Sequence, residues 1–179
     1  MSAKVAYVLL SLLSQTSHEL DLSLSALLLF GPAPIESLIF PPEMREQSLH
    51  AYDSVESARW TIENILSSRA LDAVLIESFA SDCAGMSQAA KDGWLYHGMG
   101  FDCSEYLSTI WEKWQGLKVR VLVGSEDKVE TVEKVREQTV QVLKAGGFDI
   151  EMDVVEGAGH LLPVEAIDEV VEALRKLVG

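Results

Sequence analysis

Two residues of this 179-residue chain have types and a spacing that could do chemistry together: Asp127 and His160. A carboxylate hydrogen-bonded to an imidazole holds its tautomer and stabilises its protonated form. The imidazole can then act as a general base on a nucleophile. Asp127 stands in VLVGSEDK, just past an apolar run, and His160 stands in EGAGHLLP, just past a second run. Their separation of 33 positions is enough for a strand–helix–strand crossover. Glu126 is a neighbouring acid that could serve in place of Asp127.

The elements that must position this pair are readable around it. Val119, Val121, Leu122 and Val123 form a β-branched run that reads as a buried parallel strand, and Gly124 breaks it. Thr131–Ala145 carries apolar residues at helical spacing and is ended by Gly146-Gly147. Phe148–Val155 reads as the next strand, and Pro163 opens a final helix running to about Val178. Open α/β sheets carry their chemistry at the C-terminal ends of such strands. Upstream, Leu24–Phe30 is a third strand covered on both faces, stopped by Gly31-Pro32-Ala33-Pro34.

Residues 41–116 differ in character. They hold no convincing strand but several short helical stretches: Ala58–Ser68 behind a capping box at Asp53–Glu56, then Leu71–Phe79, Ser87–Tyr96 and Ser104–Trp114. All four tryptophans lie here (Trp60, Trp94, Trp111, Trp114). The stretch reads as a helical subdomain packed by its aromatics. Placed over the strand ends it would line a pocket, with Trp94, Tyr96, Met86 and Met99 suiting an apolar acyl or ring substrate. His18, His50 and His97 lack the framing that His160 has.

At this point the chain resembles the C-terminal part of the α/β-hydrolase family. G-x-x-D at Gly124–Asp127 is similar to that family's acid loop, and G-x-G-H-L-L-P at Gly157–Pro163 to its histidine loop. The resemblance implies an α/β fold: a partial α/β-hydrolase fold with a mostly parallel sheet. Residues 1–40 and 117–179 would form the core and 41–116 an inserted helical cap or lid. The family's order is nucleophile, acid, histidine, so the nucleophile is expected upstream. The opening M-S-A-K-V-A looks like a nucleophile elbow cut immediately after its serine. Met1 would then supply an oxyanion N–H, and Ser2 would stand at the elbow's second glycine. Where the family often has an Asp after the third strand, this chain has Gly31.

The implied activity is cofactor-free, metal-free hydrolysis of a small apolar ester, thioester or carbon–carbon bond, by a Ser-His-Asp mechanism. The chain by itself is expected to be inactive for want of the nucleophile. The alternatives are a non-catalytic truncated protein of this fold, and a lyase or cofactor-free haloperoxidase on it. One internal nucleophile candidate exists, Ser87 in the degenerate elbow Gly85-Met86-Ser87-Gln88-Ala89. It follows a polar small-residue loop, where an elbow needs a strand. A competing reading of Met1–Leu13 is a signal peptide with Lys4 as its charged end.

Composition bounds the rest. With 48% apolar and 23% charged residues the chain is globular. A net charge of −14 disfavours nucleic acid and anionic membranes as partners. No apolar run reaches the roughly 18–20 residues of a membrane span. Cys83 and Cys103 fit no metal or redox spacing. A reduced, cytoplasmic setting is the expectation; the oligomeric state is not legible.

Overall fold

The computed structural model describes residues 2–20 and 23–179. Met1, the expected oxyanion donor, lies outside the described residues, as do the side chains of Ser2 and His18. Three strands form one parallel sheet in chain order: β1 (Ala26–Phe30), β2 (Lys118–Gly124) and β3 (Asp149–Val155). Leu27 pairs with Val119 and Val119 with Ile150; Phe30 pairs with Leu122 and Leu122 with Asp153. All three strands match the sequence expectation to within two residues.

Helices cover both faces, which is why β2 reads as a nearly unbroken apolar run. Side chains alternate along a strand. Val119, Val121 and Val123 therefore enter one core with Tyr7, Ile110, Leu143 and Phe148. Tyr7 comes from helix α1 (Ser2–Leu20), Ile110 from α6 (Tyr106–Lys113), Leu143 from the helix after β2, and Phe148 from the turn that leads into β3. Leu122, on the other face, packs with Leu162, Ala166 and Ala173. Within α1, Ala3, Tyr7 and Leu10 are buried at helical spacing. Lys4, the charge on which the leader reading rests, is buried there too and donates to the Glu36 and Phe101 carbonyls. Burial pushes its ammonium below the usual lysine range.

The crossover from β2 to β3 begins with Thr131, whose hydroxyl accepts the Lys134 N–H as a cap. It runs as α7 (Val132–Val135), a π-helical turn (Arg136–Val140) and α8 (Gln141–Ala145). The expected final helix is broken. It comprises α9 (Leu162–Glu165) and α10 (Ile167–Val178), separated at Ala166 by φ −141° and ψ 51°. Alanine is the best helix former, so nothing local announces this break.

The segment from 42 to 113 is helical, as expected, with corrected boundaries. A helix absent from the expectation, α2 (Pro42–His50), has proline in its first turn and buries no residue, so it leaves no apolar period to read. The capping box belongs to Ser54 and Ser57, ahead of α3 (Val55–Thr61); Asp53 instead meets the His50 ring at 2.7 Å. A π-helical turn, Ile62–Leu66, follows α3. α4 spans Ala73–Ala84, and α5 (Gln88–Asp92) passes through Gly93 without breaking, into a π-helical turn Gly93–Gly98. Ala58, Ile62 and Ala80 make a third core cluster that also receives Leu66 and Leu161. No helix among the described residues is long and apolar enough to cross a membrane. Cys83 and Cys103 are free thiols.

Candidate active site

β2 and β3 end side by side, and the loop leaving each carries one member of the pair. Asp127 Oδ2 lies 2.8 Å from His160 Nδ1. The Asp127 side chain is fully buried, and a buried carboxylate needs its oxygens satisfied. Oδ1 accepts the N–H groups of Val129 (2.8 Å) and Glu130 (2.9 Å), leaving Oδ2 for the imidazole. His160 keeps about a quarter of its side chain exposed. Its backbone is fixed from the helical segment, since the His160 N–H donates to the Leu66 carbonyl at 2.7 Å. This arrangement can hold one imidazole tautomer and present the other ring nitrogen to a reacting group. Glu126, the alternative acid, has no bond to His160; its carbonyl accepts the Ser68 hydroxyl.

His160 lines a cleft of about 220 Å³, with Asp127 buried behind it. Phe30, Phe40, Tyr52 and Leu66 supply apolar and aromatic walls, and Trp94 completes them. Of the four pocket residues expected from sequence, only Trp94 lines this cleft. Met99 is buried away from it, and Met86 is exposed in a turn. Tyr96 is 49% exposed beneath the Arg45 guanidinium, 5.2 Å from its ring centroid. Helical periodicity could place Trp94 and Tyr96 on a helix but not say which face met the strands. Ser87 is likewise placed elsewhere. It caps α5 by accepting the Ala90 N–H, and it follows a helix, with no strand leading into it. Among the described residues no serine or cysteine side chain hydrogen-bonds to His160, and no cluster of three metal-ligating side chains is placed to hold an ion.

Two site residues had no role in the sequence reading. Gly31, at the end of β1, has φ +43°; a Cβ there would stand 3.0 Å from Asp127 Oδ2 and 3.1 Å from His160 Nδ1. The glycine is the space in which the pair fits. Glu130 lines the same cleft yet is only 3% exposed, its Oε2 3.1 Å from Lys134 Nζ. Burial pushes its carboxyl above the usual carboxylate range, against the pull of Lys134 and His160. Its place beside Asp127 in the chain was a signal, but its inward orientation was not.

Comparison with solved structures defines the fold. The chain superposes on the carboxylesterase CesB from Bacillus subtilis with a TM-score of 0.62 at 18% identity, over 86% of this chain and 51% of that one. With a bromoperoxidase from Bacillus anthracis the TM-score is 0.71 at 12% identity, over 93% and 71%. With a serine hydrolase involved in carbazole degradation it is 0.55 at 17% identity, over 94% and 59%. At these identities the likeness is one of fold: the chain carries part of the α/β-hydrolase fold, an architecture that these neighbours use as enzymes. It spans about half the length of the carboxylesterase. No family model and no curated protein sequence matches it.

Proposed function

We propose that the chain carries the acid–base half of a cofactor-free hydrolase acting on small apolar esters or related acyl compounds. The observation that carries this is the 2.8 Å contact between Asp127 and His160 at adjacent strand ends, with His160 in the wall of an aromatic-lined cleft. His160 takes the proton of an attacking hydroxyl and later returns it to the leaving group; Asp127 keeps the imidazole in the competent tautomer. Residues 42–113 act as the cap that shapes the acyl pocket through Trp94 and Tyr52. Among the residues whose side chains are described, no serine or cysteine is bonded to His160, and the pair without an attacking group supplies no covalent step.

The test is an ester-hydrolysis assay of this chain and of a form extended by any in-frame upstream sequence bearing G-x-S. Turnover is expected only from the extended form. His160→Ala should abolish it, and Asp127→Asn should lower kcat by on the order of 10⁴, the scale of a lost tautomer lock. Activity indifferent to both changes would refute the reading. A second reading, a cofactor-free haloperoxidase on the same pair, is favoured by the overlap with the bromoperoxidase. Peroxide- and bromide-dependent halogenation by the same extended form would decide for it.

A further inference from the structure

His160 is held on the Asp127 side by its ring, but its backbone is held by something else. Glu165 is 8% exposed, and its carboxylate points into the histidine loop. Oε2 accepts the N–H groups of Gly159 (2.7 Å), Ser68 (3.1 Å) and Arg69 (3.2 Å), and Oε1 accepts that of Leu161 (3.2 Å). The residues before and after His160 are thus both bonded to one anion. The other two donors belong to the helical segment, whose Leu66 carbonyl takes the His160 N–H and, at 3.3 Å, that of Leu161.

Arg69 closes the arrangement from the opposite side. Its guanidinium donates to the Glu165 and Glu156 carbonyls and to Glu169 Oε1. The approach is close enough to dictate a glycine. A Cβ on Gly159 would stand 2.8 Å from the Leu66 carbonyl oxygen and 2.9 Å from the Ser68 nitrogen. Charge-assisted bonds to backbone N–H groups are stronger than neutral ones, and of these four donors only Leu161 has a second acceptor, the Leu66 carbonyl.

We propose that Glu165 is the positioning residue of His160, and that it makes the placement of the imidazole depend on the docking of residues 66–69. When that segment is seated, one buried carboxylate and one carbonyl pin the three residues 159–161. When it lifts, His160 loses the Leu66 acceptor, and Glu165 loses two of its four donors. The acid–base pair is therefore assembled only under a seated helical segment. The value of this arrangement for turnover rests on the proposed role of His160 as base; the placement itself does not.

The experiment uses the 179-residue chain and needs no turnover. Amide hydrogen exchange is measured at 159–161 and 68–69, together with the Cε1–H resonance of His160, in wild type, Glu165→Ala, Glu165→Gln and Arg69→Met. Leu143→Ala, in the core on the other face of the sheet, serves as a control for general loss of stability. Glu165→Ala is expected to speed exchange at Gly159 and Leu161 by roughly tenfold or more, the scale of one charge-assisted bond, and to shift the His160 resonance. Glu165→Gln, which keeps one carbonyl oxygen, should fall between it and wild type. Arg69→Met should move the same signals from the helical side, and it carries the test if Glu165→Ala does not fold. His160 and Gly159 signals that change no more than in the Leu143→Ala control would overturn the proposal. Lack of esterase activity in the extended form would remove the hydrolase reading and leave this result standing.

Discussion

At the scale of single residues, the site is a carboxylate, an imidazole and the space between three strand ends. Gly31 occupies that space, so Gly31→Ala should do two things. The left-handed backbone should cost about 1–2 kcal/mol, read by denaturant unfolding. The added methyl should also separate Asp127 from His160, read as a shift of the His160 Cε1–H resonance with the far core unchanged. Glu130 gives a pH prediction. The folded protein binds the Glu130 proton more tightly than the unfolded chain, chiefly through desolvation, with Lys134, His160 and Asp127 as the facing charges. Its contribution to stability is therefore lost as pH rises through and above the usual carboxylate range. Glu130→Gln should match wild type near pH ~4 and gain on it by pH ~7, in thermal melts across that interval. Asp127 and His160 were legible in the sequence because each directly follows a strand. Glu165 was not, because it lies within a predicted helix and two of its four partners, Ser68 and Arg69, are about a hundred residues away in the chain.

At the scale of elements, β2 carries the molecule. Leu122 is buried on the α10 face among Ala173, Leu162 and Val155. Leu122→Ala should cost about 2–5 kcal/mol by removing packed methyl groups and leaving a cavity, measured by urea unfolding. On the same strand, Arg120 spans to Asp153 (2.6 Å) and Glu151 (2.7 Å) of β3. Both acids are well exposed, so Arg120→Met should change stability by less than about 1 kcal/mol, with a difference that shrinks in high salt. The strands were readable because two-sided burial forces continuous apolar runs. The helix ends were less so: α2 has no buried face to impose a period, and the π-helical turns let helices run past Gly93. Which helical aromatics reach the cleft depends on how the segment docks, which Trp94 and Tyr96, two residues apart, show by facing opposite ways.

At the scale of the whole molecule, charge and edges govern behaviour. A formal charge of −14 on 179 residues makes the folded state repel itself. Melting temperature should therefore rise with moderate salt, as differential scanning calorimetry at two ionic strengths would show. Among the described residues β1 hydrogen-bonds to a neighbour on one side only, and an unpaired edge is a template for further strands. Light scattering coupled to size exclusion should show concentration-dependent self-association; a monodisperse monomer at high concentration would contradict this.

The open flank of β1 also has a constructive side. A parallel strand zipped onto it would lie about 4.8 Å away, and its last residue would come to rest next to Gly31. The open edge is thus a place at which a further strand could be added. On the proposed reading of Asp127 and His160, a short β-forming peptide tipped with serine or cysteine and supplied in trans would test whether strand addition completes the site.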